Sequence, residues 1–501
     1  MRVSIPRLVI AGLSGDSGKT LVSLSLLAAL RRKGTALSVF KKGPDYIDAA
    51  WLTRTAGSTC RNLDTYLVDT EGVCRTFTRY AAESELAVIE GNRGLFDGRD
   101  AEGTHSTAEL ARLLQAPVVL VVNCTKATRT VAAIVNGCRS FDPQLNLAGV
   151  ILNQVAGERH GRVISDAIER YCRLPVLGHV PRLRDEAALI PGRHLGLVPP
   201  AEHRSDAAFD ERLAGVATTH LNLDQLIRIA TEAPPLEIPE AEPVDTMAPS
   251  VRIGYFDDPV FTFYYPENLE ALQAHGAELV PINSLTAREL PEVDALYIGG
   301  GFPETHAAQL AGNRALLEAV RRQAENGLPV YAECGGLIFL SRRLIVGDSV
   351  YPMAGLLEID LGWQSQPVGH GYTELHVDQP NPFFVAGTTF RGHEFHYTGV
   401  RRGSKNTTTC LEVKTGVGLG RGRDGLVYKQ VLAAYTHLHA DGVPTWGAAL
   451  TARAREYRRS CSDPGDATID QSGGVAGERF DGNTTHNLIT VKQQPVSSAG
   501  G

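Results

Sequence analysis

The sequence predicts an α/β protein made of two doubly wound domains. Three observations carry this. Short β-type apolar runs alternate with helical patterns through residues 1–231 and again through 251–455, the signature of parallel sheets wrapped by helices. Residues 232–250 hold five prolines among acidic residues and have no periodicity, which reads as an extended linker between the halves. Each half also carries a glycine-rich turn between a strand and a helix, at 11–20 and at 332–336.

In the first half, the apolar run at 8–10 leads into Ala11-Gly12-Leu13-Ser14-Gly15-Asp16-Ser17-Gly18-Lys19-Thr20, and a helical pattern follows from Leu21 to Leu30. Such a turn is a phosphate cradle, because free backbone N–H groups and the helix dipole face an anion. Gly15, Asp16, Ser17 and Gly18 form the cradle. Lys19 reaches the outer phosphates of a nucleotide and the Thr20 hydroxyl reaches Mg²⁺. The usual spacing places a glycine where Leu13 stands, so the strand–turn–helix context carries the assignment. Further runs at 36–40, 86–89, 118–122 and 149–152 predict strands, with helices at 106–114 and 162–171. Ligands gather at the carboxyl ends of such strands. Polar clusters follow three of them: Lys41 to Asp48, Glu90 to Gly98, and Asn153-Gln154. Asp48 and Glu90 are the candidate Mg²⁺ ligands, and the Asn153 amide is a candidate for an adenine edge. Lys41, Lys42 and Arg93 lie among these acids and point to an anionic substrate neutralised locally. Arg193 and His194 are further cations of low weight.

The second half opens on a strand at 251–255, followed by Phe263-Tyr264-Tyr265-Pro266-Glu267-Asn268. No basic residues interleave these aromatics, so they read as core or interface rather than a stacking platform. Runs at 278–281, 295–298, 329–332 and 431–434 continue the alternation. Cys334 stands on the second strand-to-helix turn, Ala332-Glu333-Cys334-Gly335-Gly336, in the setting of an exposed nucleophile. The helix N-terminus there is expected to lower the thiol pKa. His437 or His439, just beyond the 431–434 run, can act as base, and His393 and His396 are rivals by composition. The Gly299-Gly300-Gly301 turn, with the Gly335 N–H, offers an oxyanion site. Together these predict acyl transfer from an amide.

Composition narrows the partners. The net charge of −7 argues against nucleic acid. The eight cysteines show no CxxC pair or zinc spacing, as in a reduced compartment. No apolar run approaches the roughly 18 residues of a membrane span. The first apolar run passes straight into the phosphate loop and so is not a cleaved signal, which makes the cytoplasm the expected location. From about Arg458 onward the only aromatic residue is Phe480, and residues 456–501 are expected to be a disordered tail without catalytic role.

The order of these motifs, together with Arg61-Asn62-Leu63-Asp64 and Arg193-His194-Leu195-Gly196-Leu197-Val198, resembles the cobyrinate a,c-diamide synthase family from residue 1 to about 455. The resemblance implies a P-loop domain related to dethiobiotin synthetase, whose glycine spacing is one residue longer, followed by a class I glutamine amidotransferase domain. It implies ATP and Mg²⁺ as cofactors, with L-glutamine and a tetrapyrrole polycarboxylate as substrates. ATP would convert an acetate carboxylate to an acyl phosphate, Cys334 would release ammonia from glutamine, and ammonia would displace the phosphate. Lys19 and Thr20 would hold phosphates and metal, assisted by Asp48 and Glu90. Asp45, Tyr46 and Asp97 would line the transfer region, and His437 would be the base. Class I amidotransferases place a glutamate two residues after that histidine; His439 stands there, so a Cys–His dyad is expected. Arg93 is a cation where many relatives have uncharged residues, which keeps sirohaem or another sirohydrochlorin-type ring as an alternative substrate. A regulatory P-loop ATPase with an inert second domain is the remote alternative, and a homodimer is the assembly considered.

Overall fold

The structure, a computed structural model, describes residues 2–183, 192–193, 196–197, 200, 207–237, 247–403 and 408–462. The side chains of Arg193 and His194 and the tail beyond residue 462 lie outside the described residues.

Seven parallel strands form the first sheet, in the order Arg61–Leu63, Leu37–Lys42, Leu86–Gly94, Arg7–Gly12, Val118–Asn123, Leu147–Val155 and Val176–Pro181. Alternate residues of Arg7–Gly12 feed opposite cores: Leu8 and Ile10 pack with the first helix, Lys19–Arg32, and Val9 and Ala11 face the other side. Burial on both faces explains why these strands read as continuous apolar runs. The strands extend past their apolar stretches, because ladder pairing continues beyond them. Lys41 therefore pairs with Glu90 inside the sheet, and Asn153 lies opposite Asn123.

The second sheet has nine strands. Ala277–Ile282, Val251–Phe256, Ala295–Ile298, Val330–Glu333 and Val431–Ala434 are parallel; Arg423–Tyr428, Thr408–Thr415, Gly369–Val377 and Thr389–His396 extend it antiparallel. A four-stranded sheet lies beside it, in the order Ser349–Pro352, Ser341–Val346, Leu357–Trp363 and Thr398–Gly403. The sequence reading found no element in this stretch. Ser349–Pro352 and Thr398–Gly403 are mostly exposed, so neither shows the period-two burial that marks a strand.

Two boundaries differ from expectation. Leu236–Glu237, inside the proline-rich stretch, pairs antiparallel with Arg2–Val3. The last helix, Thr445–Ser462, runs seven residues past 455, with Trp446 and Leu450 fully buried on its packed face. Among the described residues, no helix is long and apolar enough to cross a membrane.

The two halves pack directly together. Tyr66 stacks on Tyr372 at 4.2 Å, and the Tyr372 hydroxyl donates to Asp64 Oδ2 at 2.8 Å. Arg61 reaches Glu270 at 2.5 Å and Glu267 at 3.4 Å. The aromatic cluster after residue 262 lies at this junction, and Tyr265 packs into the core of the first half.

Candidate active site

The phosphate loop is shaped by close contacts. A Cβ on Gly12 would come within 2.8 Å of Ser14 O, so Gly12 is the close-approach glycine and Leu13 is free to be a side chain. Within the loop, Ser14 N–H donates to Ser17 Oγ at 3.0 Å and Ser17 Oγ to Ser14 O at 2.9 Å. Asp16 is left-handed at φ 54°. A Cβ on Gly15 would meet nothing within 4 Å, so space does not require glycine there. Gly18 caps the first helix at φ 88° without a side-chain bond, and no acid occupies the first turn. The helix N–H groups are thus left for an anion.

Asn153 departs from its expected role at an adenine edge. Its Nδ2 donates to Ser17 O at 3.0 Å, and the side chain lies directly under Gly18, where a Cβ would come within 2.0 Å. The amide supports the loop from below, with Oδ1 buried and unpartnered.

The metal candidates converge. Thr20 Oγ1 donates to Glu90 Oε1 at 2.9 Å. Fully buried Lys41 donates to Asp48 Oδ2 at 2.6 Å and to Glu90 Oε1 at 2.8 Å. Lys41 is therefore an internal counterion, not one of the substrate cations expected from sequence. Burial disfavours its charge, but Asp48 and Glu90 outweigh this and hold its pKa above the ordinary lysine value. Burial, and then the neighbouring Lys41, lower that of Lys19. A hydroxyl and two carboxylates are hard donors that suit Mg²⁺, and Glu90 Oε2 is buried without a partner. Among the described residues, no group of three or more His, Cys, Asp or Glu side chains makes a metal site by itself. Phosphate oxygens would be needed to complete the coordination.

A cavity of about 480 Å³ lies between the halves. Asp45, Tyr46, Arg93 and Asp97 line it, with Lys42, Arg99, His105 and His370 adding cationic or titratable groups. His393 and His437 complete the wall from the second half. Arg93 is exposed and left-handed at φ 49°. Asp97 Oδ2 accepts from Gly94 N–H at 2.9 Å, which fixes the turn.

Asp45 caps the helix Tyr46–Ala56 by accepting from Asp48 N–H at 2.7 Å. Burial, reinforced by Asp48, raises its pKa to about 6 from 3.8. The folded carboxyl therefore holds its proton more tightly than the unfolded one. Stability contributed by Asp45 is full below about pH 4 and falls as the pH rises through about 6. Asp45→Asn should keep the cap and flatten this slope. Denaturant midpoints of both proteins, measured across that pH window, check it.

The first turn of this helix joins the sites. Asp48 faces Lys41, whereas Tyr46 stacks on Phe263 at 5.0 Å and 4° and lies 5.4 Å from the His437 ring. Burial drives the Tyr46 pKa well up, so the phenol stays protonated.

The thiol site forms at the carboxyl ends of adjacent strands. Glu333 pairs opposite Ala434, and Cys334 N–H donates to Ala434 O at 2.7 Å. Cys334 adopts φ 46°, a strained conformation for a side-chain-bearing residue, and the helix Gly335–Leu340 follows. The expected lowering of its pKa is not found. Burial, then Glu304 and Glu333, push the thiol well up, and the helix has only six residues to oppose them. In this resting geometry Sγ donates to Phe395 O at 3.5 Å.

Of the oxyanion candidates, Gly300 N–H is already used, donating to Phe263 O at 3.3 Å. Gly301 and Gly335 remain. A Cβ on Gly335 would lie 3.0 Å from Gly301 N, and one on Gly301, at φ 154°, would come within 1.8 Å of Val260 O. Gly300 instead backs the His437 ring, since a Cβ there would come within 2.3 Å of His437 Cε1.

The histidines separate by environment. His396 stacks on Tyr435 at 3.7 Å and bonds Thr398 O, so it is structural. His439 Nε2 lies 3.6 Å from Glu267. His437 stacks on His393 at 4.9 Å and 19°, and both its ring nitrogens are buried without hydrogen bonds. Burial, then His437, hold the His393 pKa well down, so it is neutral. Sequence reasoning gave Lys41 the wrong partner, a substrate instead of Asp48 and Glu90, and assigned Glu333 no role. The only sequence signal for Glu333 was its place beside Cys334.

Comparison with known proteins matches this division. Residues 8–197 fit the CobQ/CobB/MinD/ParA nucleotide binding domain, and residues 252–444 fit the CobB/CobQ-like glutamine amidotransferase domain. A cobyrinate a,c-diamide synthase of Magnetococcus marinus is 42% identical over 470 residues, covering 93% of this chain and 100% of that protein. Those of Methanosarcina barkeri and Dehalococcoides mccartyi strain 195 are 37% and 40% identical, covering 91% and 87% of this chain and 97% and 96% of the relatives. With full-length similarity and both domains in the same order, the chain belongs to the cobyrinate a,c-diamide synthase family.

Proposed function

We propose that this ATP- and glutamine-dependent ligase amidates the a and c acetate carboxylates of cobyrinate through acyl phosphates, with ammonia released from glutamine at Cys334. One observation carries the reading: a single cavity is walled by Asp45, Tyr46, Arg93 and Asp97 from the nucleotide half and by His437 from the amidotransferase half.

A carboxylate is a poor acyl donor until one oxygen becomes part of a leaving group. The loop N–H groups and Lys19 hold the triphosphate so that its γ-phosphoryl group passes to a carboxylate oxygen, releasing ADP. Thr20, Asp48 and Glu90 would hold Mg²⁺, which when bound neutralises phosphate charge. Lys42, Arg93, Arg99 and His370 line the space for the remaining carboxylates. In the second half, His437 takes the Cys334 proton as sulfur attacks the glutamine amide carbon. The Gly301 and Gly335 N–H groups receive the oxyanion. The imidazolium returns the proton to the departing nitrogen so that ammonia leaves, and water then hydrolyses the glutamyl thioester to glutamate and restores the thiol. Ammonia attacks the acyl phosphate carbon, and phosphate departs. We infer a cytoplasmic location, which the need for ATP, free glutamine and a reduced thiol supports.

The test offers cobyrinate and sirohaem separately, with ATP, Mg²⁺ and glutamine, and reads products by mass spectrometry. Two added amides on cobyrinate alone are expected. Amidation of sirohaem alone would assign the cavity to the other macrocycle. No amide on either would reject a tetrapyrrole ligase.

A further inference from the structure

The family resemblance predicts a Cys–His dyad, because His439 stands where a glutamate would orient the base. The structure supplies a carboxylate from another direction. Glu333, the residue before the nucleophile, is fully buried. Its Oε1 accepts from Leu438 N–H at 3.0 Å, next to the base in the chain. Its Oε2 accepts from the Tyr297 hydroxyl at 2.9 Å and lies 3.7 Å from His437 Nδ1.

We propose that Glu333 is the positioning acid of the thiol site, so that nucleophile and orienting carboxylate are consecutive residues of one strand end. This rests on the reading of Cys334 as the glutaminase nucleophile.

Three features support it. The His437 ring is confined between His393 and the Gly300 backbone, and both its nitrogens are unpartnered, a costly state for buried polar atoms. Glu333 is the carboxylate in ion-pair range of that ring, and a shift of a few tenths of an ångström makes the bond. Accepting from Nδ1–H fixes the tautomer that leaves the Nε2 lone pair for the Cys334 proton, and the carboxylate then stabilises the imidazolium. Finally, glutamine would serve equally well for the bond from Leu438 N–H, and only the bond from Tyr297 needs the second acceptor oxygen. A carboxylate there works against thiolate formation, so its charge is better explained by service to the histidine.

The substitution Glu333→Gln separates the roles. The amide can still accept from Leu438 N–H, but its NH₂ group faces Nδ1 and favours the opposite tautomer. We expect glutaminase kcat to fall about 10²–10⁴-fold with the KM for glutamine nearly unchanged. Ammonia-driven amidation should match the wild type, and Tm should fall by only a few degrees as the Tyr297 hydroxyl loses its acceptor. The ¹⁵N spectrum of His437 should move from the Nδ1–H to the Nε2–H form, and Glu333→Asp should recover part of the rate. Glutaminase within about threefold of wild type, or parallel loss of ammonia-driven amidation and Tm, would overturn the proposal. Cys334→Ala in the same assay tests the underlying reading: retained glutaminase there would remove the thiol site itself, whereas its loss alongside an active Glu333→Gln would reject only the positioning role.

Discussion

Cys334→Ala should abolish glutamine-driven amidation, by a factor on the order of 10⁶, while turnover with added ammonia persists. In the proposed mechanism the sulfur bonds to the glutamine carbon, and among the described residues no other cysteine follows a strand onto a glycine turn. The ligase half does not use it. Lys19, Thr20, Asp48 and Glu90 belong to the other sheet. Removing a buried thiol methylene-to-methyl also leaves little void, so stability should change by only about 1 kcal/mol. The measurement is amide formation with each nitrogen source at saturating ATP. Loss of ammonia-driven turnover in a folded variant would show that the two chemistries are not separable.

Lys19→Ala should do the opposite. Amidation from glutamine and from ammonia should both fall about 10²–10³-fold, because the cation aimed at the transferring phosphoryl group is gone. Glutaminase activity should persist. Burial, and then Lys41, already disfavour the Lys19 charge, so its loss should not destabilise the fold. Asp48 and Glu90 keep their pairing with Lys41. Phosphate release and glutamate release, followed in one reaction, give the two rates. Unchanged amidation would take the phosphate loop out of the mechanism.

Features set by local chain geometry were legible in the sequence. A glycine turn between an apolar run and a helical pattern located both Lys19 and Cys334, and the absence of basic residues among the aromatics marked 263–268 as core or interface. Features set by through-space neighbours were not. Lys41 looked like a substrate cation because its two carboxylate partners are 7 and 49 residues away. The Cys334 thiol looked activated because the sequence displayed the helix start but not the surrounding burial or Glu304. Gly300 looked like a free donor because its bond partner, Phe263, arrives from a separate loop. Glu333 read only as part of the turn before Cys334, because the residue it faces, His437, is about a hundred positions on.

Tyr265 follows the linker in sequence, yet it is fully buried in the same apolar cluster as Val9, Ile89 and Leu120 of the first sheet. Its hydroxyl bridges to Pro44 O and to His393 on opposite sides of the junction. Pulling the halves apart would expose this side chain and the Tyr46–Phe263 stack, at about 1.5–3 kcal/mol for each large side chain uncovered. The consequence is cooperative. The boundary drawn by the proline-rich stretch divides the gene product but not its melting unit, and a cut within that stretch would leave two fragments still holding each other folded.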